Sequence, residues 1–195
     1  GLGDVYKRQF MSFWERLNYL SIVLIQCIEV CLLQTGIILA GGISTRMGFD
    51  KSMINSNVSR LANEMRNAGC ESVKVMCGTI ERAKLFDEDY LVDSKETLAE
   101  SLLEVIAQIQ GVIQLAPCDA YLADCELFES IDGVPVDDRG IRQPLLAKFD
   151  SSESLITSKK ITEVFRNIPS CPGGIRARNV NTQEEFKEIE HLLKK

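Results

Sequence analysis

The chain has 195 residues, a net charge of −6 and a pI near 5.0. With 26% charged and 45% apolar residues, it has the composition of an ordinary globular protein, and its length suits one domain with a substantial core. The acidic balance argues against nucleic acid as the main partner, because phosphate-backbone binding needs a basic face, although a local cluster of Arg and Lys can still bind a small anion.

The first 34 residues do not fit the pattern of the rest. Residues 1–9 have no readable structural role, and residues 17–33 are strongly apolar but contain Gln26 and Glu29. That stretch is shorter than the roughly 20 residues of a membrane span, and no small-residue cleavage site follows it as in a signal peptide. We interpret residues 1–34 as an atypical apolar extension, either native or extraneous, and residues 35–195 as one domain. Membrane anchoring is expected only if residues 17–33 are native.

From residue 35 onward, short apolar runs alternate with helical patterns, which indicates an α/β fold with a mainly parallel, Rossmann-like sheet between two helical layers. Helices are predicted over 56–68, after Thr97, and after Thr182, where Glu100 and Glu185 complete the spacing of a capping box. Strands are predicted at 36–40, 73–77, 90–92, 112–116, 145–149 and 175–180.

Seven cysteines without a Cys-x-x-Cys pair suggest neither a disulfide framework nor a zinc site. We expect them to be reduced and to act as small apolar residues, which is typical of a cytoplasmic protein. His191 is the only histidine, and its charged surroundings predict a surface residue rather than a catalytic one.

The run GIILAGGISTRMGFDK at residues 36–51 predicts a strand followed by a glycine-rich turn that carries Arg46 and Lys51. Glycines let backbone N–H groups approach an anion, and the two cations add positive charge, so the run indicates phosphate binding. It matches neither the Walker pattern nor the dinucleotide pattern Gly-x-Gly-x-x-Gly. The alternative is a basic strand-to-helix turn without a ligand.

Two carboxylates follow later strands, where ligands bind in open parallel sheets. Asp119 follows the strand at 112–116, and Asp93 follows the strand at 90–92. We expect Asp119 to hold Mg²⁺, which prefers oxygen ligands and often shares them with phosphates. The alternatives are that Asp119 caps a helix beginning near 122–124 and that Asp93 forms a turn.

The segment LAGGISTRMGFDK at 39–51 resembles the signature Leu-Ala-Gly-Gly-x-Ser-x-Arg-Met-Gly-x-Asp-Lys of the molybdenum cofactor guanylyltransferase (MobA) family, with every fixed position filled. Four further places also resemble the family, namely the strand ends at Asp93 and Asp119 and the runs at 142–147 and 179–185. Within these runs, Asn181 could bond a ligand or take part in a helix cap. The chain departs from the family after Asp93, where KETL replaces a Gly-Pro-Leu turn, and this leaves the base specificity open.

The resemblance implies a domain of the nucleotide-diphospho-sugar transferase type that joins GMP from GTP to molybdopterin cofactor and releases pyrophosphate. It implies GTP and molybdopterin cofactor as partners, Mg²⁺ as cofactor on Asp119, and a monomer or weak homo-oligomer. Arg46 and Lys51 would neutralise the phosphates as catalytic residues. The implied nucleotide-binding residues are Leu39, Ala40, Gly41, Gly42, Lys51, Asp93 and Asp119. The alternatives are transfer to another phosphate acceptor, such as a cobamide precursor or a sugar phosphate, a non-catalytic nucleotide-binding regulator, and a membrane-anchored accessory protein.

Overall fold

The computed structural model describes residues 33–41, 56–93, 95–180 and 182–193. The described strands are β1 Gln34–Leu39, β2 Ser72–Cys77, β3 Asp89–Val92, β4 Val112–Pro117, β5 Val134–Asp137, β6 Lys148–Asp150 and β7 Ser170–Gly174. Five of them form a sheet in the order β3-β2-β1-β4-β6, in which only β6 is antiparallel to its neighbour. The other two, β5 and β7, form a small parallel sheet.

The bounds of the described helices are α1 Asn57–Asn67, α2 Ile80–Ala83, α3 Leu98–Ile106, α4 Cys125–Ser130, α5 Ile161–Val164 and α6 Gln183–Ile189. Short polar side chains cap the beginnings of α2, α3, α4 and α6. The predicted cap of α3 is confirmed, since the Thr97 hydroxyl accepts from the Glu100 N–H at 3.3 Å. The complete capping box of Thr182 and Glu185 opens α6 as predicted. Short 3-10 turns occupy Pro144–Leu146 and Ile175–Ala177.

Alternate side chains of β1 enter two separate apolar layers, because successive residues of a strand point to opposite faces. Ile38 of β1 and Ala40, the residue directly after the strand, belong to the cluster that includes α1 and α4. Ile37 and Leu39 belong to the cluster that includes α3 and α5. The sheet therefore has helices on both faces, as the predicted three-layer α/β fold requires.

Three strand predictions differ from the structure. The predicted strand at 145–149 begins only at Lys148, because Pro144 starts a 3-10 turn. The predicted strand at 175–180 is wrong: residues Ile175–Ala177 form a 3-10 turn, and the strand lies before it. We did not predict β5, which contains Pro135, a residue type that rarely occurs inside sheets.

Other predictions concern single residues and the amino-terminal segment. His191 is exposed, as expected. The five described cysteines are free thiols. Among the described residues, no helix is both long and apolar enough to cross a membrane. Residues 1–32 lie outside the described part of the chain, so the division into 1–34 and 35–195 stays a prediction.

Candidate active site

The site begins where the order of the strands reverses. From β1 the chain adds β2 and then β3 on one side, and β4 then returns to the other side of β1. Ligands of open α/β sheets bind in the crevice at such a switch point, beyond the carboxyl ends of the strands. Leu39 and Pro117 are paired at the ends of β1 and β4, and the Cys118 N–H donates to the Leu39 carbonyl at 3.0 Å. The segments that carry Gly41 and Asp119 therefore leave the sheet side by side.

Gly41 and Asp93 meet over Gly78, which follows β2. A Cβ placed on Gly41 would lie 3.7 Å from Asp93 Oδ2 and 3.6 Å from the Gly78 nitrogen. A Cβ placed on Gly78 would lie 3.4 Å from the Gly41 carbonyl oxygen. Because neither Gly41 nor Gly78 has a side chain, the Asp93 carboxylate lies next to the backbone that was predicted to bind the nucleotide. Gly78 was not among the residues predicted for the site.

Asp93 is held in place from two directions. Its N–H donates to the Cys77 carbonyl at 2.8 Å, which continues the pairing of β2 and β3 by one residue. Its Oδ1 accepts from the hydroxyl of Ser101, a residue of α3 that is only 1% exposed. The Ser101 hydroxyl also accepts from the Lys95 N–H at 3.0 Å. Ser101 was not predicted, although a serine beside Leu102 on the apolar stripe of the helix was a visible signal.

Ala40 directly follows β1, and both its backbone N–H and its carbonyl form hydrogen bonds. The Ala40 N–H donates to the Met76 carbonyl at 2.8 Å, and the Ala40 carbonyl accepts from Arg82 Nε at 2.6 Å. Arg82 lies in α2, whose cap is the Thr79 hydroxyl. Arg82 was not predicted to take part, because no local pattern links it to a carbonyl 42 residues earlier.

Asp119 follows β4 and is half-buried. The alternative that Asp119 caps the next helix is wrong, because Asp124 is the N-cap of α4 and accepts from the Leu127 N–H at 2.9 Å. Within the described residues, no three His, Cys, Asp or Glu side chains are grouped so that they could hold a metal ion. The Asp119 carboxylate supplies oxygen atoms, the ligand type that a hard cation prefers, and phosphate and water supply the same type. This donor set fits Mg²⁺, which commonly keeps several waters and binds through one or two carboxylates and substrate phosphates.

The thiol of Cys77 lies at the end of β2, close to this edge of the sheet. Burial raises the pKa of the Cys77 thiol, with the Arg82 charge and a bond to Thr79 opposing that shift. The thiol donates to the Thr79 and Leu91 carbonyls at 3.5 and 3.8 Å. A protonated thiol is a poor nucleophile, so Cys77 is a packing residue here, as predicted for the cysteines.

The two runs that resemble the family at 142–147 and 179–185 are joined by side chains. Gln143 Nε2 donates to buried Asp137 at 2.9 Å, and Asn179 Nδ2 donates to Gln143 Oε1 at 3.0 Å. The other amide atom, Asn179 Oδ1, is buried and has no hydrogen-bond partner among the described residues. Asn181 is outside the described residues, and the neighbouring Thr182 caps α6.

Part of the predicted site falls on residues that the structure does not describe. Gly42, Arg46 and Lys51 belong to the segment 42–55, which lies outside the described residues. The structure brings together the other predicted positions in two pairs, with Gly41 next to Asp93 and the strand of Leu39 next to the one that precedes Asp119.

Comparison with known proteins identifies the family. The family model of the MobA-like NTP transferase domain matches residues 36–154, which is more than half of the chain. The chain belongs to this family. It is therefore a nucleotidyltransferase domain, and the predicted resemblance is confirmed at this level. No curated protein matches the chain in sequence.

Solved structures share the fold of this MobA-like domain. A nucleotidyl transferase from Methanothermobacter thermautotroptrophicus has 15% identity and a TM-score of 0.59, over 83% of this chain and 98% of that one. Rv0371c from Mycobacterium tuberculosis H37Rv has 18% identity and a TM-score of 0.61, over 84% and 99%. The bifunctional IspDF from Campylobacter jejuni has 16% identity and a TM-score of 0.61, over 80% and 54%. Identities this low support the fold alone.

Proposed function

We propose that this MobA-like domain transfers GMP from GTP to the terminal phosphate of molybdopterin cofactor and releases pyrophosphate, in the cytoplasm and as a monomer or weak homo-oligomer. The observation that carries the proposal is the position of Gly41 beside the Asp93 carboxylate, at the carboxyl edge of the sheet where Asp119 follows β4. Such an edge presents backbone N–H groups to phosphates and carboxylates to a cation.

The reaction requires little from acid–base chemistry. The acceptor phosphate is already anionic at pH 7, so no strong general base is needed, and catalysis consists of positioning and charge neutralisation. The backbone of residues 39–42 would hold the nucleotide, and Arg46 and Lys51 would neutralise its phosphates. Asp93 would fix the nucleoside or assist the metal, and the bond from Ser101 orients its carboxylate for either role.

Asp119 would hold Mg²⁺, which when bound supplies charge neutralisation at the phosphates. Two observations support this assignment. Asp124 already caps α4, so the cap does not account for Asp119. One of the solved structures of similar fold is a complex of Rv0371c with manganese, at 15% identity and a TM-score of 0.52 over 84% of this chain and 98% of that one.

A second candidate is the same transfer with a different nucleotide and phosphate acceptor. The segment after Asp93 favours it, because Lys95-Glu96-Thr97-Leu98 stands where the family usually has a Gly-Pro-Leu turn. In this segment the Lys95 backbone N–H donates to the Ser101 hydroxyl, and the exposed Glu96 carboxylate pairs with Lys159 at 3.0 Å. A 4-diphosphocytidyl-2C-methyl-D-erythritol synthase, with 13% identity and a TM-score of 0.57 over 84% of this chain and 98% of that one, shares the fold.

The test is pyrophosphate release from each of the four NTPs with Mg²⁺, using molybdopterin cofactor, a cobamide precursor and a sugar phosphate as acceptors. We expect release only with GTP and molybdopterin cofactor, and loss of release with EDTA. Binding of an NTP without release would instead favour a regulator.

Two variants test the residues. Asp119→Ala and Lys51→Ala should lose activity, with the first partly restored by added Mg²⁺. The matched control is Asp87→Ala, at an exposed aspartate in the loop before β3. Full activity in both Asp119→Ala and Lys51→Ala would refute the assignment.

A further inference from the structure

Three polar side chains of α1 lie against the loop that carries Asp119. Asn57, Arg60 and Glu64 are spaced by three and four residues, so they share one face of the helix. The loop begins at Cys118, directly after β4, and ends at Cys125, where α4 starts. Each of the three side chains bonds to this loop or to another member of the trio.

Arg60 makes the central contacts. Its two terminal nitrogens donate to the carbonyls of Ala123 at 2.6 Å and of Ala120 at 2.9 Å, and its Nε donates to Asn57 Oδ1 at 2.8 Å. Both alanines are fully buried. The rigid planar fork of a guanidinium suits three acceptors at fixed positions, whereas a lysine ammonium is a single point of charge on a flexible stem.

Asn57 and Glu64 hold the two ends of the loop. Asn57 is 2% exposed, and its Nδ2 donates to the Cys118 carbonyl at 2.8 Å. Glu64 Oε2 accepts from the Cys125 N–H at 2.9 Å. The carbonyls of Cys118 and Ala120, the residues on either side of Asp119, are therefore both bonded to side chains of α1. We call Asn57, Arg60 and Glu64 the α1 clamp.

The charge of Arg60 is directed at the loop rather than at solvent. Burial lowers the pKa of the Arg60 guanidinium, and the charges of Glu64 and Asp124 oppose that shift. A guanidinium stays protonated in proteins, so a desolvated positive charge faces the carbonyl dipoles of the loop. Such a contact fixes the backbone, because removing it takes a charged donor from the carbonyls of two buried alanines and leaves the Ala120 carbonyl with the long 3.4 Å bond from the Ala123 N–H.

We propose that Arg60 is a positioning residue for the transfer reaction: through the α1 clamp, it fixes the backbone carbonyls of the two neighbours of Asp119, Cys118 and Ala120, and so directs the Asp119 carboxylate toward the divalent cation and nucleotide. This inference rests on the proposed function, since it requires Asp119 to bind the cation. In the chain, α1 directly follows residues 42–55, which contain Arg46 and Lys51. One helix thus connects the two segments that are proposed to meet at the phosphates.

The first test uses the full chain with Mg²⁺ and the best NTP and acceptor pair. Arg60→Lys keeps the charge and loses the fork, so we expect kcat to fall about 10- to 100-fold, the range for residues that orient a metal ligand. The Mg²⁺ concentration for half-maximal rate should rise, while KM for the NTP changes less than about threefold. The control is Arg66→Lys, on the same helix, where Arg66 pairs with Glu88 at the surface and should leave the rate within twofold.

Cation binding gives a readout besides activity. Mn²⁺ affinity in the presence of GTP, measured by electron paramagnetic resonance, should weaken about tenfold in Arg60→Lys and remain unchanged in Arg66→Lys. Unfolding in urea shows whether each variant is folded. If Arg60→Lys does not fold, Asn57→Ser is the second variant, with the same direction of change expected. Wild-type Mn²⁺ affinity in a folded clamp variant would overturn the proposal.

A double-mutant cycle separates positioning from a general structural effect. If Arg60 acts through Asp119, Arg60→Lys should cause no further loss of kcat in an Asp119→Ala background. Losses that multiply would refute the role of the clamp. A wild-type chain that turns over no NTP would refute the proposed function and this role with it. An active wild type that Arg60→Lys matches in rate and Mn²⁺ affinity would refute only the clamp.

Discussion

The same substitution at two glycines of one segment should separate stability from nucleotide binding. Gly36 lies inside β1, and a Cβ there would meet Met65 Sδ at 2.8 Å and Val73 Cγ2 at 3.2 Å. Gly41 lies just beyond the strand, its φ is not positive, and its nearest contacts in the described part of the chain are at 3.6 and 3.7 Å. Alanine is therefore too large at Gly36, whereas at Gly41 it makes only ordinary contacts with the described residues.

The two substitutions are expected to affect different quantities: Gly36→Ala should lower the free energy of unfolding, and Gly41→Ala should lower kcat/KM. Gly36→Ala overpacks the contact with α1, which typically costs about 1–3 kcal/mol of unfolding free energy. Gly41→Ala should leave the stability unchanged or raise it by up to about 1 kcal/mol, because alanine restricts the unfolded chain. Its methyl group, however, fills the space between the backbone and Asp93, where the nucleotide is proposed to bind. Losing one hydrogen bond to a charged group there costs about 1.5–3 kcal/mol, or roughly 10- to 100-fold in kcat/KM.

Two measurements check this pair. Urea unfolding should show a lower midpoint for Gly36→Ala and an unchanged or slightly higher one for Gly41→Ala, with equal slopes. Pyrophosphate release should show the reverse order, with kcat/KM for GTP reduced only in Gly41→Ala. A Gly41→Ala variant with wild-type kcat/KM would contradict the role of this backbone in binding the nucleotide.

Three further predictions concern stability. Asp137 accepts from the N–H groups of residues 139 and 141 and from Gln143, so Asp137→Ala should lower the unfolding free energy by about 2–4 kcal/mol in urea. Thr182→Ala removes the capping box of α6 and should cost about 1 kcal/mol, whereas Thr182→Ser should cost little. A hydrogen bond from Arg178 lowers the pKa of Asp138. The stabilisation from that pair is therefore present above the ordinary carboxyl pKa and is lost as pH falls through the lowered value. Asp138→Asn should be less stable than wild type at pH 7 by at most about 1 kcal/mol in urea unfolding, and the difference should shrink as the pH falls below the ordinary carboxyl pKa.

Local signals explain which parts of the fold the sequence predicts. The strands β1, β2 and β4 are predominantly apolar, although β2 contains Lys74 and β4 contains Gln114, and all three predicted strands are confirmed. The caps at Thr97 and Thr182 depend only on residues three positions apart, and both are confirmed. By contrast, β5 and β7 contain proline, and β7 also ends in two glycines, so their composition indicates loops. Their pairing with each other is a tertiary effect.

The residues of the candidate site also divide into those that local sequence signals predict and those that depend on tertiary structure. Asp93 and Asp119 are predictable because each follows a recognisable strand. Ser101, Gly78 and Arg82 are not, since their roles depend on which strand ends become neighbours in the sheet. The α1 clamp is a further case. The helical spacing of its members is visible in the sequence, but the carbonyls that Arg60 bonds lie 60 and 63 residues later in the chain.

The contacts that two arginines make at this edge of the sheet bear on the roles proposed for Arg46 and Lys51. In the described part of the chain, Arg82 donates to the carbonyl of Ala40 and Arg60 donates to two carbonyls of the loop around Asp119. These guanidinium contacts fix the two backbone segments that are proposed to face the nucleotide. We therefore expect the positive charge that contacts the phosphates to come from other side chains. Arg46 and Lys51 are the candidates, because the glycine-rich run that carries them in the sequence follows Gly41 directly. Lys51→Ala should therefore weaken nucleotide turnover without the loss of stability expected from removing either scaffold arginine.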